Sequence, residues 1–269
     1  MRMASVILAT SLVVSTVTVA HADKLDDIMA SGTLRCAVVL DYPPMGMRDA
    51  ENNPAGYDVD YCNDIAKALG VTAEIVETTF PDRIPALVSG RADIAVAQTS
   101  DTLERAKTVG FTMPYTALTE VVLAKDGLGI DSYEKLKGRN VGGVAGGYEA
   151  MALEKDVKAW GGGSFRAFQS QADVFLALSQ GQIEATVVTA PVAATIVKDG
   201  KYKGVVVAGE APYEVDYTAL VTLRQEQGLI NYLNLFIHQQ VRTGRYKELW
   251  DKWVGVGDAP DLTIPGVYR

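Results

Sequence analysis

Only two cysteines and two histidines occur in 269 residues. His21 lies close to the N-terminus and His238 on an expected helix, far from either cysteine. No Cys/His cluster of metal-binding spacing can be drawn, so a zinc site is excluded and no metal or other cofactor is expected. Positive charge is also scarce. Lys and Arg number 25 against 33 Asp and Glu, a net charge of −8, which argues against nucleic acid or an anionic membrane as a partner. Beyond the first twenty residues no apolar run is long enough to span a bilayer. The pairs Gly142-Gly143 and Gly146-Gly147 do not complete a phosphate-loop or dinucleotide fingerprint. No nucleophile–base pair is suggested by spacing, and no low-complexity segment or long linker interrupts the chain.

The N-terminus is an export signal in composition. Arg2 precedes an apolar and hydroxylic run from Ala4 to Val19 that ends in Ala20-His21-Ala22, a small-x-small cleavage pattern. Cleavage is expected after Ala22. The run is shorter than the roughly 20 residues of a spanning helix, and no cysteine lies near the cleavage point to carry a lipid. The mature chain is therefore expected to be free in the periplasm. In an exported protein Cys36 and Cys62 could pair. Because Cys36 falls inside a buried-looking strand and Cys62 on the apolar face of a helix, the favoured expectation is two small core residues rather than a disulfide.

From residue 33 the chain alternates strand and helix. Thr33 to Leu40 reads as a buried strand. Asp58 is expected to cap a helix with Val59, Cys62, Ile65, Ala66 and Leu69 at helical spacing and Gly70 as its stop. Strands at 73–77 and 94–97 flank a helix at 82–89. After a strand at 120–125 the plan recurs: strand 141–144, helix 148–160, helix 173–178, strand 185–188, helix 191–198 and strand 204–207. The tail adds a strand at 217–223, an amphipathic helix at 229–243, and a segment at 246–253 whose tryptophans read as core anchors. Short connections between alternating strands and helices imply mostly parallel sheets covered by helices, in two similar lobes.

Several phrases in order resemble the family of polar amino-acid-binding receptors of ABC importers, the bacterial extracellular solute-binding proteins of family 3. They are Tyr42-Pro-Pro-Met45, Gly56-Tyr-Asp-Val-Asp60, the run from Ile84 to Asp93, Thr102-Leu-Glu-Arg-Ala-Lys107 and Phe111-Thr-Met-Pro-Tyr115. Leu136-Lys-Gly138, Ala177 to Gly181 and Gly244-Arg-Tyr246 through Trp253 extend the match over nearly the whole mature chain. The resemblance implies a type II periplasmic-binding-protein fold of class α/β, with two lobes joined by crossing segments near 115–119 and 211–217. Residues 1–22 would be the leader, 23–116 the first part of lobe I, 117–213 lobe II, and 214–269 the returning part of lobe I. It also implies a single chain that delivers a small polar solute, an amino acid or a relative, to a permease in the inner membrane.

A zwitterion buried between lobes needs a fixed cation, a fixed anion and apolar walls, because an unpaired buried charge is costly. Arg105, at the start of a short helix behind the capping sequence Asp101 to Glu104, matches the family arginine that grips the α-carboxylate. Ser100 matches the supporting hydroxyl. Tyr42 and Phe80 match rings that flank the ligand, and the Gln98 carbonyl is a candidate acceptor for an ammonium. Lobe II departs from the pattern. Its glycine loop puts Gly147 or Tyr148 where relatives carry Thr or Ser, leaving only backbone donors at a helix start. Thr189 stands where relatives carry the ammonium-binding Asp. Either Glu149 replaces that charge, or the solute has no free α-ammonium, or the local alignment is off; Asp173 and Glu184 are further acidic candidates. Two other functions fit the same fold: an enzyme resembling cyclohexadienyl dehydratase, disfavoured because the loop lacks the Thr-x-Glu those enzymes carry, and a sensory receptor.

Overall fold

The structure is a computed structural model, and it describes residues 23–255 and 257–262. The expected leader and its cleavage point lie outside the described residues. In chain order the elements are α1 (Lys24–Ser31), β1 (Thr33–Val39), the short pair β2 (Met47–Arg48) and β3 (Pro54–Ala55), α2 (Tyr57–Leu69), β4 (Thr72–Thr78), α3 (Arg83–Val88), β5 (Ile94–Ser100), α4 (Leu103–Ala106) and β6 (Val109–Leu118). The second group is β7 (Glu120–Lys125), β8 (Asn140–Val144), α5 (Tyr148–Trp160), β9 (Ser164–Phe168), α6 (Gln171–Ser179), β10 (Ala185–Thr189), α7 (Ala190–Asp199) and β11 (Val205–Glu210). The chain closes with β12 (Asp216–Leu223), α8 (Gln227–Arg242) and α9 (Arg245–Trp253).

Two five-stranded sheets result, in the orders β4-β1-β5-β12-β6 and β9-β8-β10-β7-β11. Each carries helices and forms one lobe of a type II periplasmic-binding-protein fold. The two sheets follow one plan: three parallel strands, then two antiparallel neighbours. The antiparallel neighbours are the strands that change lobe. β6, an edge of the first sheet, leads into β7 in the second, and β11, an edge of the second, leads back into β12 in the first. The sheets are thus mixed, with parallel pairing confined to the β-α-β runs that the sequence shows. Centrality explains the burial patterns. Every residue of the central strand β5 is buried, whereas the edge strand β4 has exposed and half-buried positions, as expected for a strand covered on both faces against one that borders solvent.

The returning tail seats on the first lobe. Leu229, Ile230, Leu233, Phe236 and Ile237 of α8 are buried, while Leu235 on the opposite face is exposed. Each such side chain contributes about 1.5–3 kcal/mol by leaving water. Tyr61 packs between Tyr115 and Phe236, with ring centroids 5.0 and 5.7 Å away, and Trp250 is buried in the same core. No helix among the described residues is long and apolar enough to cross a membrane.

Two local expectations are corrected. Cys36 and Cys62 do more than fill the core: they are joined by a disulfide between β1 and α2, with Cα atoms 6.3 Å apart. A buried strand and the helix that covers it place their facing residues within bridging distance, so burial and pairing are compatible. Asp58 does not cap α2. Gly56 holds the cap position, and Asp58 lies in the first turn, where its buried carboxylate accepts from the Tyr115 hydroxyl and the Gln98 amide, each at 2.7 Å. Gly70 ends the helix in the left-handed conformation, φ 73°.

Candidate functional site

Parallel strands send their C-terminal loops toward one edge of a sheet, and here the two lobes turn those edges toward each other. Tyr42 follows β1, Phe80 and Arg83 follow β4, and Arg105 follows β5. From the second lobe, Gly146, Gly147 and Glu149 follow β8, and Thr189 ends β10. The lobe-changing strands add one carboxylate each: Glu120 is the first residue of β7 and Asp216 the first of β12.

Two arginines stand on the first lobe and face the glycine loop of the second. Arg83 is 3% exposed. Its Nε donates to the Phe80 carbonyl at 2.9 Å, one terminal nitrogen to the carbonyls of Ala97 and Gln98 at 2.9 and 2.7 Å, and the other to Gly146 at 2.8 Å. Burial, and then the neighbouring Arg105, pull its pKa down to about 9. Arg105 makes fewer bonds, to the Ser100 carbonyl at 3.1 Å and the Gly146 carbonyl at 2.8 Å. A guanidinium has five N–H donors, so Arg83 is nearly saturated by backbone while Arg105 keeps donors in hand. Burial lowers the Arg105 pKa as well. Gly146, the shared acceptor, has φ 81°, and a Cβ there would lie 3.3 Å from the Phe80 carbonyl oxygen. Glycine lets this loop of one lobe approach the backbone of the other.

Three carboxylates are buried nearby, Asp216 on the same lobe and Glu149 and Glu120 on the other. Asp216 accepts from the Ser100 hydroxyl at 3.0 Å, and burial raises its pKa to about 6. Glu149, 5% exposed in the first turn of α5, folds back over Gly147, where a Cβ would stand 3.1 Å from its Oε1. Burial raises it to about 7, opposed by its own backbone N–H and by both arginines. Glu120 is 2% exposed, and both its carboxylate oxygens lack any hydrogen-bond partner within the protein. Burial, then Glu149 and Asp216, raise its pKa well above the usual carboxylate range.

Glu120 and Thr189 are directly opposed in the antiparallel β7–β10 ladder, so their side chains share a face. The Thr189 hydroxyl is 2.9 Å from the Tyr42 hydroxyl across the lobes. The Tyr42 ring meets Phe80 edge-on at 4.9 Å, and the Arg83 guanidinium lies 4.5 Å above the Phe80 ring. A second clasp lies at the rim: Asp41 accepts from the backbone N–H groups of Gln171 and Ala172 at the start of α6, at 2.8 and 3.2 Å.

The structure brings together Tyr42, Phe80, Ser100, Arg105, Gly147, Glu149 and Thr189. Gln98 stands beside them. Its carbonyl accepts from Arg83, and its side chain points into the first lobe toward Asp58, Tyr115 and Thr218, so it helps to order Arg83. Tyr148 is half-buried and lies against Tyr213, ring centroids 6.4 Å apart. Asp173 is exposed on α6, and Glu184 pairs with Arg139 at 2.9 Å at the start of β10, the end away from Thr189. Arg83, Glu120, Asp216 and Asp41 were not anticipated. The available signal was a charge inside an apolar context, as in Leu118-Thr-Glu120-Val-Val-Leu123 and Val215-Asp216-Tyr-Thr-Ala-Leu220. Among the described residues no group of three His, Cys, Asp or Glu side chains is arranged to hold a metal ion.

Comparison with known proteins gives the same architecture. The chain is 27% identical over 254 residues to the L-cystine-binding protein TcyJ of Escherichia coli (strain K12), covering 93% of each protein. The crystal structure of a mutant of ArgBP from T. maritima superposes with a TM-score of 0.78 at 26% identity, covering 86% of this chain and 99% of that one. The ancestral amino acid-binding protein AncCDT-1, a precursor of cyclohexadienyl dehydratase, superposes with a TM-score of 0.77 at 31% identity, with the same two coverages. The model of one family matches residues 34–256, which takes in both lobes and every residue of the cleft described above, and the chain belongs to that family, the bacterial extracellular solute-binding proteins, family 3.

Proposed function

We propose that this protein is the periplasmic receptor of an ABC importer and that it holds an amino acid, or a solute of similar charge pattern, between Arg105 and the carboxylates of the cleft. The observation that carries this reading is the contrast between the two arginines. Arg83 spends its donors on backbone carbonyls, whereas Arg105 retains a donor pair in a desolvated site, the geometry a carboxylate accepts two-pronged. Asp216, Glu149 and Glu120 supply the opposite charge, and Tyr42 and Phe80 supply the walls. On this reading Ser100 fixes Asp216, the Gly147 backbone leaves room for Glu149, and Thr189 anchors Tyr42. On the same reading, the charge that the resemblance leads one to expect at Thr189 is supplied by Glu120 across the ladder and by Glu149 in the loop.

Closure follows from the same contacts. Arg83 and Arg105 to Gly146, Tyr42 to Thr189, and Asp41 to α6 all join one lobe to the other, and a solute that adds contacts to both lobes shifts the population toward the closed form that a permease reads. The dehydratase alternative is not favoured. Glu149 is turned back onto Gly147, and the loop lacks the Thr-x-Glu arrangement. The test is isothermal titration of the purified protein with a panel of α-amino acids. We expect at least one to bind with a dissociation constant at or below the micromolar range, and Arg105→Ala to weaken it by 100-fold or more. Binding unaffected by Arg105→Ala would refute the assignment.

A further inference from the structure

We propose that Glu120 is the specificity-determining residue of the cleft, taking the second positive charge of its solute, so that the site selects an α-amino acid with a cationic side chain over its neutral isostere. This rests on the reading of the cleft as an amino-acid site. Four carboxylates lie where the lobes meet, and their partners separate their roles. Asp41 is held by two backbone N–H groups of α6. Asp216 is held by Ser100, next to Arg105. Glu149 is folded over Gly147 at the head of α5. Glu120 alone among the four has two buried oxygens with no donor in the protein.

A carboxylate removed from water without a donor is one of the costliest arrangements a fold can hold, and it becomes favourable when a buried cation meets it. The position of Glu120 suits that partner. It opens β7 directly opposite Thr189, on the face where Thr189 meets Tyr42. A guanidinium or ammonium reaching Glu120 would therefore come near the Tyr42 ring, and an aromatic ring favours a desolvated cation. The charge count agrees. Asp216, Glu149 and Glu120 set three negative charges against the two positive charges of Arg83 and Arg105, and a zwitterion adds no net charge, which leaves one carboxylate still uncompensated. The three unanticipated or displaced acids do not form a group arranged to hold a metal ion, so an extended organic cation fits where a bare ion does not.

The experiment is titration calorimetry with L-arginine and with L-citrulline, which replaces the guanidinium by a neutral ureido group of nearly the same shape. Wild type is expected to prefer arginine by about 10- to 100-fold, the range of a hydrogen bond to a charged group. Glu120→Gln should bring the two ligands within about threefold of each other chiefly by weakening arginine, and its retained binding of citrulline would show that the variant is folded. Glu120→Asp should keep a preference for arginine. Equal affinity of wild type for both ligands, or a preference unchanged by Glu120→Gln, would overturn the role of Glu120 while leaving the receptor reading intact. Failure of wild type to bind either ligand or any other amino acid of the panel would overturn the receptor reading, and this inference with it.

Discussion

Substituting each arginine of the cleft by lysine should separate affinity from stability. Arg105 uses two of its donors on the carbonyls of Ser100 and Gly146 and offers the rest to the solute. Two charge-assisted hydrogen bonds to a carboxylate are worth about 1.5–3 kcal/mol each. Losing the pair would cost roughly 3–6 kcal/mol, about 10²- to 10⁴-fold in dissociation constant. Lysine keeps the charge and forfeits the fork, so Arg105→Lys should weaken binding by about 10- to 100-fold and lower the melting temperature of the unliganded protein by only a few degrees. Arg83→Lys reverses the balance. Its guanidinium satisfies four backbone carbonyls, those of Phe80, Ala97, Gln98 and Gly146, and an ammonium in its place reaches one or two. Leaving two or three buried carbonyls short costs on the order of 3 kcal/mol, which in a protein of this size is roughly 6–12 °C. Thermal unfolding without ligand and calorimetry with ligand would be run on both variants. A melting temperature that falls as far in Arg105→Lys as in Arg83→Lys, with affinity unchanged, would refute the division of labour drawn from their hydrogen bonds.

Three further outcomes follow from other parts of the fold. Reducing the Cys36–Cys62 disulfide, which closes a separation of 26 residues, removes a constraint worth about 3.5 kcal/mol in the chain-entropy account; melting should drop by roughly 7–14 °C, and an unchanged transition in protein shown by mass to be reduced would contradict it. Asp58, raised by burial to about 8, binds a proton in the folded state that the unfolded chain has released above about pH 4. The sign is therefore a stability that is full at low pH and lost as pH rises toward 8, and melting temperature should fall between pH 5 and pH 9, less steeply in Asp58→Asn. An identical slope in that variant would remove Asp58 from the account. Asp41→Asn should weaken the clasp to α6, shifting the unliganded protein toward an open form with a larger radius of gyration by X-ray scattering; no change would show that the clasp does not hold the lobes.

Much of the fold was legible because it rests on local patterns. Helical spacing in Val59, Cys62, Ile65 and Leu69, a stop at Gly70, and short apolar strands between helices describe the β-α-β runs of both lobes. Non-local pairing was not. β9 is an edge strand with exposed residues, so its sequence Ser164-Phe-Arg-Ala-Phe168 lacks the apolar run that marks a buried strand. The antiparallel lobe-changing strands are set by the return of the chain after a hundred residues. The cysteine pair was misjudged for a similar reason: burial is a property of each residue alone, but pairing depends on the angle between β1 and α2. In the cleft, Arg105 and Tyr42 stand in motifs, and Ser100 matches a family position. Arg83, Glu120 and Asp216 stood in none, and they became site residues only when two lobes buried three charges that each segment, taken singly, would leave in water.

A crystal structure of the protein with the amino acid that binds most tightly in the panel should show the α-carboxylate on the Arg105 guanidinium, the α-ammonium near Asp216 and Glu149, the side chain against the Tyr42 ring, and its end at Glu120. A solute bound outside the cleft, or one whose carboxylate does not meet Arg105, would contradict that placement.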